Sequence, residues 1–155
     1  MSGSLPPREP SSTVRGLSDG AGPVRLIAGN ATFAAAGPTG SAAGDTQPAA
    51  LDLLVGAQVA ELLAGFRREA ARAGVRVLDA ELSLSAELDN PLVALGVVGE
   101  SGSAALATVR GSLYVSADAG SEDLDALWRR TLARAPVHAT LHRCADLHID
   151  LKPVP

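Results

Sequence analysis

Arg134-Ala135-Pro136-Val137-His138-Ala139-Thr140-Leu141 is the stretch on which the reading of this chain turns. Upstream of it, Ser121 has the character of a helix N-cap, with Glu122, Asp123 and Asp125 in the first turn and Arg129, Arg130 and Arg134 late. That polarity suits the helix dipole. Leu124, Leu127, Trp128, Leu132 and Ala135 form its apolar stripe. Pro136 ends the helix and pushes Ala135 out of helical geometry, because the ring clashes with the preceding residue in the α region. Downstream, Ala145-Asp146-Leu147-His148-Ile149-Asp150-Leu151 alternates with period two and predicts a strand.

Working outward, residues 1–12 are rich in Pro and Ser and predict a loose arm, with a single domain over 13–155. Val14-Arg15 and Val24-Arg25-Leu26-Ile27 flank a Gly/Ser/Asp-rich turn from Gly16 to Pro23, the pattern of a hairpin, and Ala31-Thr32-Phe33 predicts a third short strand. Gly37 to Pro48 marks a loop. A long helix is predicted over 49–73. Leu51, Leu54, Val55, Val59, Leu62, Leu63 and Phe66 give it a wide apolar face, and Gly74 fits a C-terminal cap. An apolar face this wide requires cover on more than one side. Ala80, Leu82, Leu84, Ala86 and Leu88 then alternate with Glu81, Ser83, Ser85 and Glu87 in a strand that Asn90-Pro91 breaks. Two further strands are expected at 105–109 and 112–116. Strands, helix, strands, helix, strand give the α+β class.

The 155 residues are enough for one real core, and with 3% aromatics that core must be built from Ala, Leu and Val. Net charge is −4, and the 13 basic residues are scattered without aromatic interleaving, which removes the footprint of a nucleic-acid binder. The longest apolar stretch, Ala49 to Phe66, contains Asp52, Gln58 and Glu61. A charge at a bilayer's centre costs about 2.5–3.5 kcal/mol on insertion scales, so the stretch is read as a buried helix. The first ten residues lack the basic start and apolar run of a signal peptide, and the expectation is a cytoplasmic protein without membrane contact. Cys144 is the only cysteine, which excludes an intramolecular disulfide.

Pro136-Val137-His138 with Thr140-Leu141 resembles the C-terminal signature Cys-Pro-Val-x-x-Thr-Leu of the OsmC/Ohr family of thiol peroxidases, with Ala135 at the cysteine position. Asp52-Leu53-Leu54-Val55-Gly56-Ala57 resembles the entry to that family's central helix, and Ala70-Ala71-Arg72-Ala73-Gly74-Val75 resembles its end. Gly37-Pro38 and Pro48 sit where the family has a Gly/Pro-rich approach. The resemblance covers about residues 14–151. It implies antiparallel sheets wrapped around two central helices in an intertwined homodimer.

The resemblance also implies a chemistry. A cysteine in the first central helix attacks peroxide and the Cys-Pro-Val cysteine resolves the sulfenic acid, while an arginine paired with a glutamate keeps the first thiol ionised. Anchoring on the helix entry and on Gly74 places the first cysteine at Glu61; counting from Pro48, or matching Gly56-Ala57, places it nearer Gln58 or Val59. The glutamate corresponds to Ala49. The early turn Leu17-Ser18-Asp19-Gly20 lacks the arginine, although Arg15 is close by. Peroxide reduction of this kind needs a thiolate that can accept oxygen, and neither a carboxylate, an amide nor a methyl group does that.

The expected function is therefore a non-peroxidase homodimer that binds a small apolar ligand at a vestigial interface pocket lined by Glu61, Gln58, Ala135 and Pro136. No cofactor is expected. The alternative is an organic hydroperoxide reductase working by another mechanism or through Cys144, whose sequence neighbours His142 and Arg143 are cationic or polar. His138, His142, Cys144, Asp146 and His148 include metal-capable side chains, but His138 matches a residue of the family motif that binds no metal, and no metal is expected. For Glu61 two readings stand side by side: a surface residue paired with Arg67 or Arg68, or a buried carboxylate of raised pKa. The Arg129/Arg130/Arg134 cluster reads as a solvated helix end.

Overall fold

The computed structural model describes residues 11–18, 22–37 and 46–154. The chain forms two compact units, Met1–Leu51 and Asp52–Pro155. Most of the predicted arm and the centre of the Gly/Pro loop lie outside the described residues.

The first unit holds an antiparallel sheet of β1 (Val14–Leu17), β2 (Val24–Ala28) and β3 (Ala31–Ala35) in that order. The hairpin expected from Val14-Arg15 and Val24–Ile27 is present, with Arg15 opposite Ile27 and Gly16 opposite Leu26. Ala28 pairs with Ala31 across a two-residue turn whose Gly29 has φ 58°. The mirror-image turns that suit twisted hairpins require that left-handed backbone, and glycine adopts it without strain.

The second unit begins on α1 (Ala50–Arg72) and continues through β4 (Val77–Leu88), α2 (Pro91–Ala94), β5 (Leu106–Ala117), α3 (Ser121–Ala133), α4 (Pro136–Leu141) and β6 (Asp146–Pro153). β4 and β5 are antiparallel, whereas β6 runs parallel to β5, because the connection through α3 and α4 returns the chain to the same end of the sheet. α1 stops in a Schellman arrangement: Gly74 has φ 69°, its N–H donates to Ala71 O at 3.2 Å, and Val75 N donates to Ala70 O at 2.9 Å.

The core of this unit lies between one face of the sheet and two helices. Leu62, Phe66 and Ala70 of α1 and Leu124, Leu127 and Trp128 of α3 pack with Leu82, Leu113 and Val115. The alternation read in 80–88 is realised, since Leu82 is buried and Ala80, Leu84, Ala86 and Leu88 are half-buried between exposed neighbours. α1 and α3 approach closely at Gly65, where an added Cβ would stand 3.1 Å from the Thr131 methyl. Thr131 turns that methyl inward while its hydroxyl donates to Leu127 O at 2.9 Å.

Four expectations are corrected. The two strands expected at 105–109 and 112–116 are one continuous strand, β5; Arg110-Gly111 reads as a break but is a point of close backbone approach to β4. Ser121 is the first helical residue and Gly120 is the N-cap, with no side-chain cap bond. Pro136 ends α3 and also opens α4 from its first turn, the position where a missing N–H costs nothing. Finally, the buried stripe of α1 is narrower than its apolar face and includes polar residues. The buried stripe is Gln58, Leu62, Gly65, Phe66, Glu69 and Ala70, and Leu54 is left exposed. Among the described residues, no helix is long and apolar enough to cross a membrane.

Candidate functional site

Both positions that the resemblance assigns to cysteines belong to one neighbourhood at the junction of α1 and α4. Ala135, 4% exposed, is the N-cap of α4 with extended backbone (φ −104°, ψ 100°) and has no side-chain oxygen with which to cap it. Glu61 supplies what Ala135 lacks. Its carboxylate accepts from Val137 N at 2.9 Å and from His138 N at 3.0 Å, taking up two main-chain donors that have no partner inside the helix. A side-chain cap of this kind is worth about 1 kcal/mol. Glu61 is half-buried, and its partners are the amides of α4 rather than Arg67 or Arg68.

Gln58 lies one turn before Glu61 and is fully buried. Its amide nitrogen lies 3.3 Å from His138 Nδ1, and its carbonyl oxygen is buried without a hydrogen-bond partner. With the amide as donor, His138 carries its proton on Nε2. Burial, reinforced by the neighbouring His142 and opposed by Glu61, holds the His138 pKa below the ordinary histidine value, in keeping with a neutral ring that accepts this bond. His138 and His142 stack, with centroids 6.0 Å apart and planes 5° from parallel. The two rings therefore share a face, and His138 is half-buried and engaged with Gln58. Pro136, whose ring starts α4, is exposed.

Cys144 is free and exposed. Its thiol donates to Leu141 O at 3.3 Å and Thr140 O at 3.7 Å, among the carbonyls that close α4. Nucleophilic thiols are set up at the opposite kind of place, among amide donors at a helix N-terminus or beside a cation. Among the described residues, no group of three or more His, Cys, Asp or Glu is arranged to hold a metal ion.

Sequence reasoning missed Glu69. Its side chain is 3% exposed and receives Arg134 Nη1 on both oxygens, at 2.8 and 2.9 Å. Arg72 Nη1 lies at 2.9 Å and Arg130 Nε at 3.8 Å. The Arg134 hydrogen bonds, against the cost of burial, hold the Glu69 pKa below the ordinary carboxylate value. Arg130 and Arg134 are thus organised by an acid on another helix and are more than a solvated helix end. The available signal was the spacing of Glu69 from Gly65 and Leu62, which puts a carboxylate on the buried stripe of α1.

No protein-family model and no curated protein matches the sequence. Solved structures do match over nearly the whole chain. An OsmC-like protein from Mycoplasma pneumoniae has a TM-score of 0.79 at 11% identity, covering 95% of this chain and 99% of that one. The organic hydroperoxide resistance protein OsmC from Legionella pneumophila has a TM-score of 0.65 at 11% identity, covering 93% and 98%. The organic hydroperoxide resistance protein OhrB of Bacillus subtilis has a TM-score of 0.60 at 17% identity, covering 92% and 98%. A likeness of this extent at such low identity is one of architecture. The chain has the fold of the OsmC and organic hydroperoxide resistance proteins.

Proposed function

We propose that this protein is an OsmC/Ohr-family member that has exchanged the family's thiol chemistry for a binding role, acting as a cytoplasmic homodimer that holds a small apolar ligand near Gln58, Glu61, Ala135 and Pro136. One observation carries the reading. At the α1–α4 junction a carboxylate and a methyl group stand where thiol chemistry needs two sulfurs, and the carboxylate is already committed to the amides of Val137 and His138. A group so engaged has no sulfur to oxidise and caps the helix instead. The unpartnered Gln58 carbonyl supports a ligand carrying one hydrogen-bond donor on an otherwise apolar body, since a buried oxygen left unpaired costs about 1–3 kcal/mol.

Assembly follows from α1. Leu54 is 41% exposed, and Leu51, Val55 and Val59 are half-buried along the same helix. A groove of about 470 Å³ runs between Asp52, Val55, Gly56 and Val59 of α1 and residues 82–86 of β4. Covering this apolar face is the work of a second copy, in an interface burying more than about 2,000 Å² as obligate dimers do. Light scattering at micromolar concentration should give the mass of a dimer, and a stable folded monomer would refute the assembly.

The catalytic reading is tested separately. With an organic hydroperoxide and a dithiol reductant, the protein and its Cys144→Ala variant should consume peroxide at the same background rate. Turnover that is fast in the wild type and lost in the variant would establish the alternative, a hydroperoxide reductase working through Cys144.

A further inference from the structure

The C-terminal ends of α1 and α3 carry more positive charge than their surroundings use. Arg72, Arg130 and Arg134 converge on the single carboxylate of Glu69. Each helix C-terminus contributes the equivalent of about half a negative charge, so three guanidinium groups exceed one carboxylate and two helix ends by roughly one unit. Arg68 with Arg72, and Arg130 with Arg134, are each four residues apart on one helix, a like-charge spacing that costs stability in isolation.

The arrangement is also ordered. Glu69 is buried and points its oxygens at the three heads, while the heads themselves stay open to solvent at 60%, 46% and 54% for Arg72, Arg130 and Arg134. Glu69 engages Arg134 and Arg72 through Nη1 alone and Arg130 through Nε. Among the described residues, Nε and Nη2 of Arg72 and Arg134 and both Nη atoms of Arg130 make no hydrogen bond, so several planar donors remain available. Guanidinium forks already fixed in place lose less freedom on meeting a ligand than free side chains do. Planar donors with surplus positive charge are the chemistry that recognises a tetrahedral oxyanion.

We infer that Arg72, Arg130 and Arg134, drawn together by Glu69, form a seat for a phosphate group, as the free ion, on a small phosphomonoester or on a lipid headgroup. The carboxylate that organises the seat is 3% exposed and lies beneath the guanidinium heads it bonds, so the heads rather than Glu69 meet the incoming anion. The net charge of −4 and the lack of interleaved aromatics set this local site apart from a polyanion-binding surface.

Calorimetric titration of the full chain with inorganic phosphate, against sodium chloride at matched ionic strength, tests the seat. The wild type should bind phosphate saturably. Arg72→Gln and Arg130→Gln should each weaken binding by about tenfold, the effect of losing a charged hydrogen bond, and Arg130→Lys should restore part of it. Thermal unfolding of each variant checks that the fold survives; should Arg72→Gln melt early, Arg130→Gln decides, since it touches Glu69 at 3.8 Å only. A second arm offers phosphatidylcholine vesicles with and without phosphatidic acid. Binding confined to the phosphatidic acid vesicles and lost in the variants keeps the seat and makes its source a lipid headgroup. Absence of binding in both arms, or binding that is equal in wild type and variants, overturns the inference.

Discussion

Gly111→Ala should destabilise the protein by about 3 kcal/mol, the upper end of what overpacking costs. Gly111 lies opposite Leu84 in the β4–β5 ladder, with Ile149 of β6 on its other side. A Cβ there would run into the Ser83 carbonyl oxygen, and would stand 2.9 Å from its carbon and 2.7 Å from a Leu84 methyl. The leucine can rotate away, but the carbonyl belongs to a paired strand and moves only if the ladder opens. β5 is the central strand of three, so any such opening is transmitted to both neighbours. Urea unfolding of the variant, beside Ser112→Ala as a control on the same strand, measures the effect. An unchanged midpoint for Gly111→Ala would mean that the β4–β5 register is wrong.

Phe66→Ala should cost about 3–5 kcal/mol, the range for truncating a buried aromatic. Phe66 is fully buried and meets Trp128 edge to face, with centroids 6.3 Å apart and planes at 63°. Apart from Trp128, the buried side chains of this core are Ala, Leu and Val, too small to fill the space left by the ring. Phe66→Leu should lose far less, because it keeps most of the volume. The single tryptophan, Trp128, sits at the contact and reports it directly, so fluorescence-monitored unfolding separates the two variants. Equal stability of Phe66→Ala and wild type would contradict the packing of α1 on α3.

The elements were legible where one periodicity dominated. The 3.6-residue spacing of Leu62, Phe66 and Ala70 and the strict alternation of 80–88 each have one physical solution, and the structure adopts it. What could not be read depends on partners distant in sequence. Gly111 looks like a break until β4 is laid beside it. Gln58 and Glu69 occupy core-facing positions of α1 because His138 and Arg134, far along the chain, receive them. The resemblance brought Glu61 and Ala135 to one place, yet nothing in the local sequence tells that the carboxylate would reach past Ala135 to the amides of the next helix.

The parallel β6 has a kinetic consequence. β4 and β5 join as antiparallel neighbours through residues 89–105, whereas β6 reaches β5 only after the longer segment 118–145 has folded back as α3 and α4. Closing that longer loop has an entropic cost before any β5–β6 hydrogen bond forms, so the third strand is the late step of assembly of this sheet. Contacts made after the barrier govern how slowly a protein comes apart rather than how quickly it forms. Ile149 and Leu151, which pack from β6 onto the core, should therefore act as the latch whose release times unfolding, so that truncating either to Ala speeds unfolding more than it slows refolding.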